Sequence, residues 1–477
     1  MAQELDVDEA FLHEGYWWLP EAPDDQIAGT IEYDPDTGAE LRLLGTFGGP
    51  MHAIALAMAG AKYQTIHGVT ADGKPISLLK ALVKSSQFNA PGIPRVTYMG
   101  LWLIVGRHIL SIDEPVFTAS WSDFDGLDAW LNRQAFQRTF LDNPRQELLT
   151  ITPPSDWVLG RVEAIDAEVV ARTRVDTTEE RQKRHVAILR NQIGLKPSSP
   201  QSLMWHTDQL HVVNRLVELC TGRHLPYRTI RLIGGDVELG PGVIIPETID
   251  VLFARRRGRE RTKSADEPIY TAAELLNGNP NIMSAWFALN DKLRPALDLL
   301  FTVVASRYDL YTDVAFLLAA QAWEVFHRLS STTALVPKAE FNAARKAVEE
   351  AIPLNISNVL RDRFKSMLTF ANEPSLRQRL DATIADLQPA YGAAPFGFDE
   401  EALKQVVNSR NYYTHYTSKL RAKALVGAPL MELTRGIIPL LFALILPMLD
   451  LDPNQVRQHL GRRRDLGPLN LPRTATR

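Results

Sequence analysis

The chain has 477 residues, 45% hydrophobic and 23% charged, enough to bury two or more cores, so it reads as a folded multidomain protein. Its net charge of −4 supplies no global attraction for a polyanion, which leaves any nucleic-acid binding to local basic clusters or a partner subunit. A single cysteine, Cys220, excludes an intrachain disulfide and fits a reducing compartment.

The first residues, MAQELDVDEAFLHEG, are acidic and lack the basic and apolar regions of a signal peptide, so a cytoplasmic location is expected. From Phe11 to about Asp266, short β-branched and aromatic runs alternate with turn signals. GTIEYDPDTGAELRLLGTF reads as a hairpin around DPDTG, and RVTYMGLWLIVG, VFTASWSDF, YRTIRLIGG and ETIDVLFARRR read as further strands. Trp17 and Trp18 are expected in the packing core of the first strand, with a ligand-sensing surface as the alternative. Two helices are expected here. One runs from Leu203 to Cys220, where Leu210, Val213, Leu216 and Leu219 fall at helical spacing, and the other from Asp125 to Thr139. His206, Asp208 and His211 share the first of these, but an i, i+5 histidine pair is poor metal-ligand spacing, so no metal site is expected. GDVELGPG lacks a following phosphate-binding helix start and reads as a turn. Arg255 to Lys263, RRRGRERTK, punctuates the end of this half as a solvated loop.

From about Ile282 the pattern turns helical. NIMSAWFALNDKLRPALDLLFTVVASR, TDVAFLLAAQAWEVFHRLS, KAEFNAARKAVEEA, ISNVLRDRFKSMLTFA, PSLRQRLDATIADL, DEEALKQVVNSRNYYTHYTSKLRAKALV and PLMELTRGIIPLLFALILPML carry apolar residues three and four apart, as in a helical bundle. The run from Gly436 to Leu451 is interrupted by Pro439 and Pro447; it reads as too short to span a bilayer and as a buried helix, so no membrane partner is expected. The expected segments are residues 1–280, β-rich; 281–451, helical; and 452–477, a basic, flexible tail. The fold class is therefore α+β.

Within the helical half, NSRNYYTHYTSK concentrates Arg410, Asn411 and His415 among tyrosines and hydroxyls. A ribonuclease without a metal needs a base for the 2′-hydroxyl proton, an acid for the leaving 5′-oxygen, and a cation on the phosphorane. Histidine and arginine meet those needs. On a helix, Asn411 and His415 share one face, whereas Arg410 lies about 140° from His415 and must use its length to reach the same pocket. Roughly one Arg-x4-His pair is expected by chance in a chain this rich in arginine, so the spacing alone also fits a satisfied histidine and a solvated arginine. This is nonetheless the only such pair here, and Asn411 adds a neutral donor.

RNYYTH, near the end of a helical bundle, resembles the Arg-x4-6-His signature of HEPN domains. Arg410, Asn411 and His415 match it residue by residue, and LLAAQAWEVFHRL resembles the glutamate-bearing helix of ApeA-like HEPN domains, placing Glu324 opposite the motif. HEGYWWLPEAPDDQIAGTIEYDPDTGAELRLLGTF is likewise similar to the ApeA N-terminal domain. The resemblance implies an anti-phage, abortive-infection ribonuclease: a β-rich sensor or regulatory domain followed by an all-α HEPN bundle. It implies a homodimer through that bundle, a phage-derived trigger, host RNA such as tRNA as target, no cofactor, and 2′,3′-cyclic phosphate and 5′-hydroxyl ends. Arg410 would bind the phosphate, His415 transfer protons, Asn411 orient the phosphate or 2′-hydroxyl, and Glu324 hold Arg410 or His415. Tyr412 and Tyr416 would stack bases, and Lys419, Arg255 and Arg257 would contact RNA phosphates. Two rival readings are a catalytically silent dimerisation or RNA-binding bundle, and an N-terminal carbohydrate or small-ligand enzyme on a helical scaffold. No clustered acid pair or nucleophile motif supports the second.

Overall fold

The structure, a computed structural model, describes residues 9–49, 63–87, 92–140, 147–180, 184–240, 242–254, 267–306, 309–331, 334–353, 355–463 and 466. The chain divides into two compact units between Phe287 and Ala288.

The first unit is built on antiparallel strands. The first six are β1 (Phe11–Trp18), β2 (Ile27–Asp34), β3 (Gly38–Leu44), β4 (Gln64–Thr70), β5 (Pro75–Gln87) and β6 (Arg95–Gly100). In the order β5-β4-β1-β2-β3-β6 they close into a barrel, because β6 pairs with both β3 and β5. Closure removes the exposed edges of the sheet. Alternate residues point inward, as a pleated strand dictates: Ile31 and Tyr33, Leu41 and Leu43, Val96 and Tyr98 are all buried in one cluster. At the expected hairpin turn, Asp34 Oδ1 accepts from the backbone N–H of Asp36 and of Thr37, each at 2.9 Å, and Gly38 supplies φ +84°. Trp17 is fully buried, lying across β4 so closely that a Cβ on Gly68 would come within 2.2 Å of its ring. Trp18, on the other face of β1, is only half-buried and meets His108 edge-on at 5.3 Å.

The first half of β5 also pairs with β7 (Trp102–Val105), which extends the barrel wall into an open sheet. That sheet continues through β15 (Val243–Leu252), β14 (Tyr227–Gly240), β8 (Ala119–Phe124), β13 (Arg184–Pro197), β12 (Ala167–Glu180) and β11 (Trp157–Val162). β14 runs through most of GDVELGPG, so the turn read there narrows to its end. Helix α1 covers only Leu127–Leu131, because Asn132 takes a left-handed conformation at φ 48°. The helix expected to reach Thr139 gives way to β9 (Phe136–Phe140), paired with β10 (Glu147–Ile151).

Helix α2 (Leu203–Thr221) starts where the Ser202 side chain accepts from the Trp205 N–H and ends at left-handed Gly222. His206 on it is a satisfied core histidine rather than a ligand: Nδ1 lies 3.0 Å from Ser120 Oγ and Nε2 3.2 Å from the Phe117 carbonyl. Among the described residues no group of His, Cys, Asp or Glu is arranged to hold a metal ion. Burial pushes the pKa of His206 down to about 4, against the carbonyl of Phe117, which favours the charged form. The folded state therefore takes up this proton later than the unfolded chain. The stabilising contribution is complete above pH 6.5 and is lost as pH falls towards 4, by roughly 3 kcal/mol for this group. Urea unfolding between pH 7 and pH 4 should show that loss, with a shallower slope in His206→Gln.

Helix α3 (Ala272–Gly278) opens with a capping box between Thr271 and Glu274, and α4 (Ile282–Ser306) follows. The second unit contains α5 (Thr312–Ser330), α6 (Lys338–Ala351), α7 (Asn358–Thr369), α8 (Leu376–Tyr391), α9 (Glu400–His415), α10 (Ser418–Arg421), α11 (Ala428–Ile445) and α12 (Pro453–Arg462). Its core joins α5, α8, α9 and α11. Trp323 Nε1 donates to Thr383 Oγ1 at 2.7 Å and its ring meets the fully buried Phe398 edge-on. Small residues on α5, among them Ala315, Ala319 and Ala322, are buried, and every residue of α11 from Gly436 to Ile445 is buried. The longer stretch Ala428–Leu449, which begins before the run from Gly436, is long and apolar enough to cross a membrane, and most of it is buried inside the unit, the buried helix expected for that run.

Two further expectations differ. The expected tail begins with a helix: Asp452 caps α12, Pro453 occupies its first turn, and Val456 and Leu460 are buried. The segment expected as one helix through Val426 ends at His415, because Tyr416 is left-handed at φ 50°.

Candidate active site

The helix carrying the motif is set by its sequence at both ends. At its start, Asp399 Oδ1 accepts from the Ala402 N–H at 2.9 Å, with Glu400 and Glu401 in the first turn. Ala402, Leu403, Val406, Ser409 and Tyr413 form the buried stripe, and Tyr413 meets Phe316 of α5 at 6.3 Å between ring centroids. At its end, the Tyr416 N–H donates to the Tyr412 carbonyl at 2.6 Å. The chain then folds back: Leu425 N–H donates to the buried Ser409 Oγ at 3.0 Å, and Tyr413 Oη donates to the Leu425 carbonyl at 2.9 Å. Both ends of the loop after α9 are thereby tied to the helix, which fixes the last turn where His415 stands.

Arg410 is half-buried and points across to α5. Its Nη2 donates to Glu324 Oε2 at 3.1 Å, and its Nη1 lies 3.5 Å from Asn411 Oδ1. Glu324, with a side chain only 14% exposed, shares its other oxygen with Arg328 at 3.0 Å. Arg328 continues to Glu373 at 2.7 Å, and Glu373 to Arg379 at 3.2 Å. Three arginines and two glutamates thus alternate in one series, so Arg410 is oriented while the cluster keeps one formal positive charge. The sequence also allowed Glu324 as a helix-face carboxylate near His327 and Arg328, whereas Glu373 and Arg379 were not expected at the site. The i, i+4 spacing of Glu324 and Arg328 is a legible signal, whereas the approach of Glu373 and Arg379 is tertiary.

His415 is exposed, and no described residue hydrogen-bonds to either ring nitrogen. Tyr412 and Tyr416 stand 5.4 Å apart between ring centroids, and Tyr416 is 61% exposed, a surface on which a base can stack. Tyr413, the third ring, is core; burial pushes its hydroxyl pKa up. Lys419 lies on the short α10 rather than on α9, exposed beside Arg421 and Lys423. These last two belong to the basic run KLRAK, which sequence reading left unassigned. Arg255 and Arg257 lie outside the described residues.

The structure therefore brings Glu324, Arg410 and Asn411 into one hydrogen-bonded group, with His415 on the same helix and an exposed basic, aromatic loop directly after it. A guanidinium held by a carboxylate can bind a phosphate, and an exposed imidazole on the same helix can move a proton.

Comparison with known proteins agrees with this division of the chain. The family model for ApeA N-terminal domain 1 matches residues 13–286, and that for Apea-like HEPN matches residues 317–455. No curated protein and no solved structure matches. HEPN domains are generally associated with ribonuclease activity, and the ApeA-like HEPN domain with anti-phage proteins. With more than half of its length matched by the ApeA N-terminal model and the helical unit by the HEPN model that follows, the chain belongs to the ApeA family of anti-phage HEPN proteins.

Proposed function

We propose that this protein is a metal-independent endoribonuclease acting in the cytoplasm, in which the HEPN bundle cleaves host RNA, with tRNA as the foremost target, to abort phage infection. The observation that carries the reading is Arg410 held by Glu324 at 3.1 Å, five residues before the exposed His415 on the same helix. In the proposed reaction a histidine takes the proton of the 2′-hydroxyl and the 2′-oxygen attacks phosphorus. The O2′–P bond forms as the P–O5′ bond breaks. A second group protonates the leaving 5′-oxygen, leaving a 2′,3′-cyclic phosphate and a 5′-hydroxyl. One imidazole cannot serve both sides of the phosphorus at once, so a homodimer through the bundle supplies the second from His415 of the other copy. Arg410 neutralises the phosphorane as a two-pronged donor, and Asn411 orients the phosphate or the 2′-hydroxyl. The β-rich unit holds the nuclease silent until a phage-derived trigger arrives.

Glu324→Gln keeps the shape of the side chain but removes the charge that holds Arg410, so cleavage should fall about tenfold with the melting temperature little changed. Single-turnover cleavage beside thermal melting checks this. The function itself is tested by infecting cells that carry the wild type or His415→Ala and following tRNA by blotting. Fragmented tRNA and protection in the wild type alone are expected. Equal protection by both, with intact RNA, would assign the bundle a silent binding role.

A further inference from the structure

Between Glu401 and Glu432 the chain carries three lysines and two arginines and no acidic residue, although its net charge is −4. Two of these cations are held inside the unit, Lys404 by Glu401 at 3.3 Å and Arg410 by Glu324 at 3.1 Å. The other three, Lys419, Arg421 and Lys423, stand exposed in the loop after α9, and among the described residues none of them has an ion-pair partner. An exposed run of unpaired cations attracts a polyanion, whose counterions are released on binding.

The loop that carries them is fixed at both ends. The chain leaves α9 through Tyr416 at φ 50°, and it returns where the Leu425 N–H donates to Ser409 Oγ at 3.0 Å and the Leu425 carbonyl accepts from Tyr413 Oη at 2.9 Å. Ser409 is fully buried and directly precedes Arg410. The loop therefore starts one residue after His415 and docks beside the turn that carries Arg410. Leu420 and Leu425 are half-buried, while the three cations face solvent. Glycine would make the turn at Tyr416 with less strain. The Tyr416 ring is 61% exposed, 5.4 Å from that of Tyr412, and leaves an aromatic face in solvent.

We infer that residues 416–425 form a clamp for an unpaired RNA strand, in which Arg421 and Lys423, with Lys419, neutralise phosphates flanking the bond to be cut and Tyr416 carries an unstacked base. The inference rests on the reading of the bundle as a ribonuclease. Ser409 and Tyr413 are the positioning residues: they hold the loop in place before RNA arrives, so less ordering is left to be done on binding. A stacking ring beside cations suits a single strand, because a duplex keeps its base faces covered.

The test reads binding without cleavage, with the full chain carrying His415→Ala and the fluorescence anisotropy of a labelled uridine oligomer of about twelve nucleotides, titrated over a salt series. Each phosphate contact on a single strand contributes about −0.7 to the slope of log affinity against log salt. Adding Arg421→Gln and Lys423→Gln together should make the slope shallower by about 1.4 and weaken binding about tenfold. Lys404→Gln, which removes a cation already paired with Glu401, should leave the slope as it was. Tyr416→Gly keeps the turn and deletes the ring, so affinity should fall at least about fivefold with the slope and the melting temperature kept. Tyr413→Phe deletes only the hydroxyl that ties Leu425 and should weaken binding about threefold, again at an unaltered slope. Absence of measurable binding by the His415→Ala chain, or a slope that the Arg421→Gln and Lys423→Gln pair leaves unaltered, would overturn the proposal. The nuclease reading fails separately: RNA bound with the full slope but left uncut by the wild type would remove the chemistry and keep the clamp.

Discussion

Replacing His415 with alanine is expected to slow RNA cleavage by about 10²–10⁴-fold, the usual contribution of a positioned proton-transfer group. The melting temperature should stay near that of the wild type. His415 is exposed and hydrogen-bonds to no described residue, so its removal breaks no hydrogen bond among the described residues. The two readouts must separate. Matched losses of activity and stability would point instead to a structural histidine. If two copies each contribute one His415, mixing wild type with an excess of the variant should suppress cleavage further than dilution of active chains explains. Single-turnover kinetics on mixtures of defined ratio would measure this.

Arg410 should matter for a different reason, and Arg410→Lys is the informative change. Removing one preorganised donor to a developing charge costs on the order of 10²–10³ in rate, and Arg410→Ala should lose at least that much. Lysine keeps the charge but not the planar fork, so it cannot bind Glu324 and a phosphate in two fixed directions; most of the loss should remain. Glu324→Gln and Arg410→Ala should also be non-additive, because the first acts only through the second. A double-mutant cycle on cleavage rate checks it: full additivity would mean that the 3.1 Å contact does not serve the reaction.

Much of this site was legible because its parts are local. Arg410, Asn411 and His415 lie within six residues, and the shift from alternating to helical periodicity near Ile282 is written in side chains a few positions apart. What escaped depends on contacts distant in sequence or on backbone conformations that residue type does not announce. Barrel closure requires β6 to pair with both β3 and β5, and no periodicity within β6 declares two partners. The end of α9 was missed because a tyrosine, Tyr416, takes the left-handed position normally given to glycine. The same conformation at Asn132 cut short the helix expected to Thr139. The misread tail differs: Asp452 followed by Pro453 is a standard helix start, so α12 was legible and was passed over for the basic residues beyond it. Arg328 lay within reach as the i, i+4 partner of Glu324, but Glu373 and Arg379 join the series only through tertiary folding.

The central claim is that the Arg410 and His415 cluster cleaves RNA by transferring protons, without a metal. The most direct measurement is the chemistry of the product ends when purified protein acts on tRNA in EDTA, read by mass spectrometry for the wild type and for His415→Ala. The expected result is 2′,3′-cyclic phosphate and 5′-hydroxyl ends from the wild type and uncut RNA from the variant. Ends bearing 5′-phosphate, cleavage abolished by EDTA, or equal cleavage by the variant would contradict it.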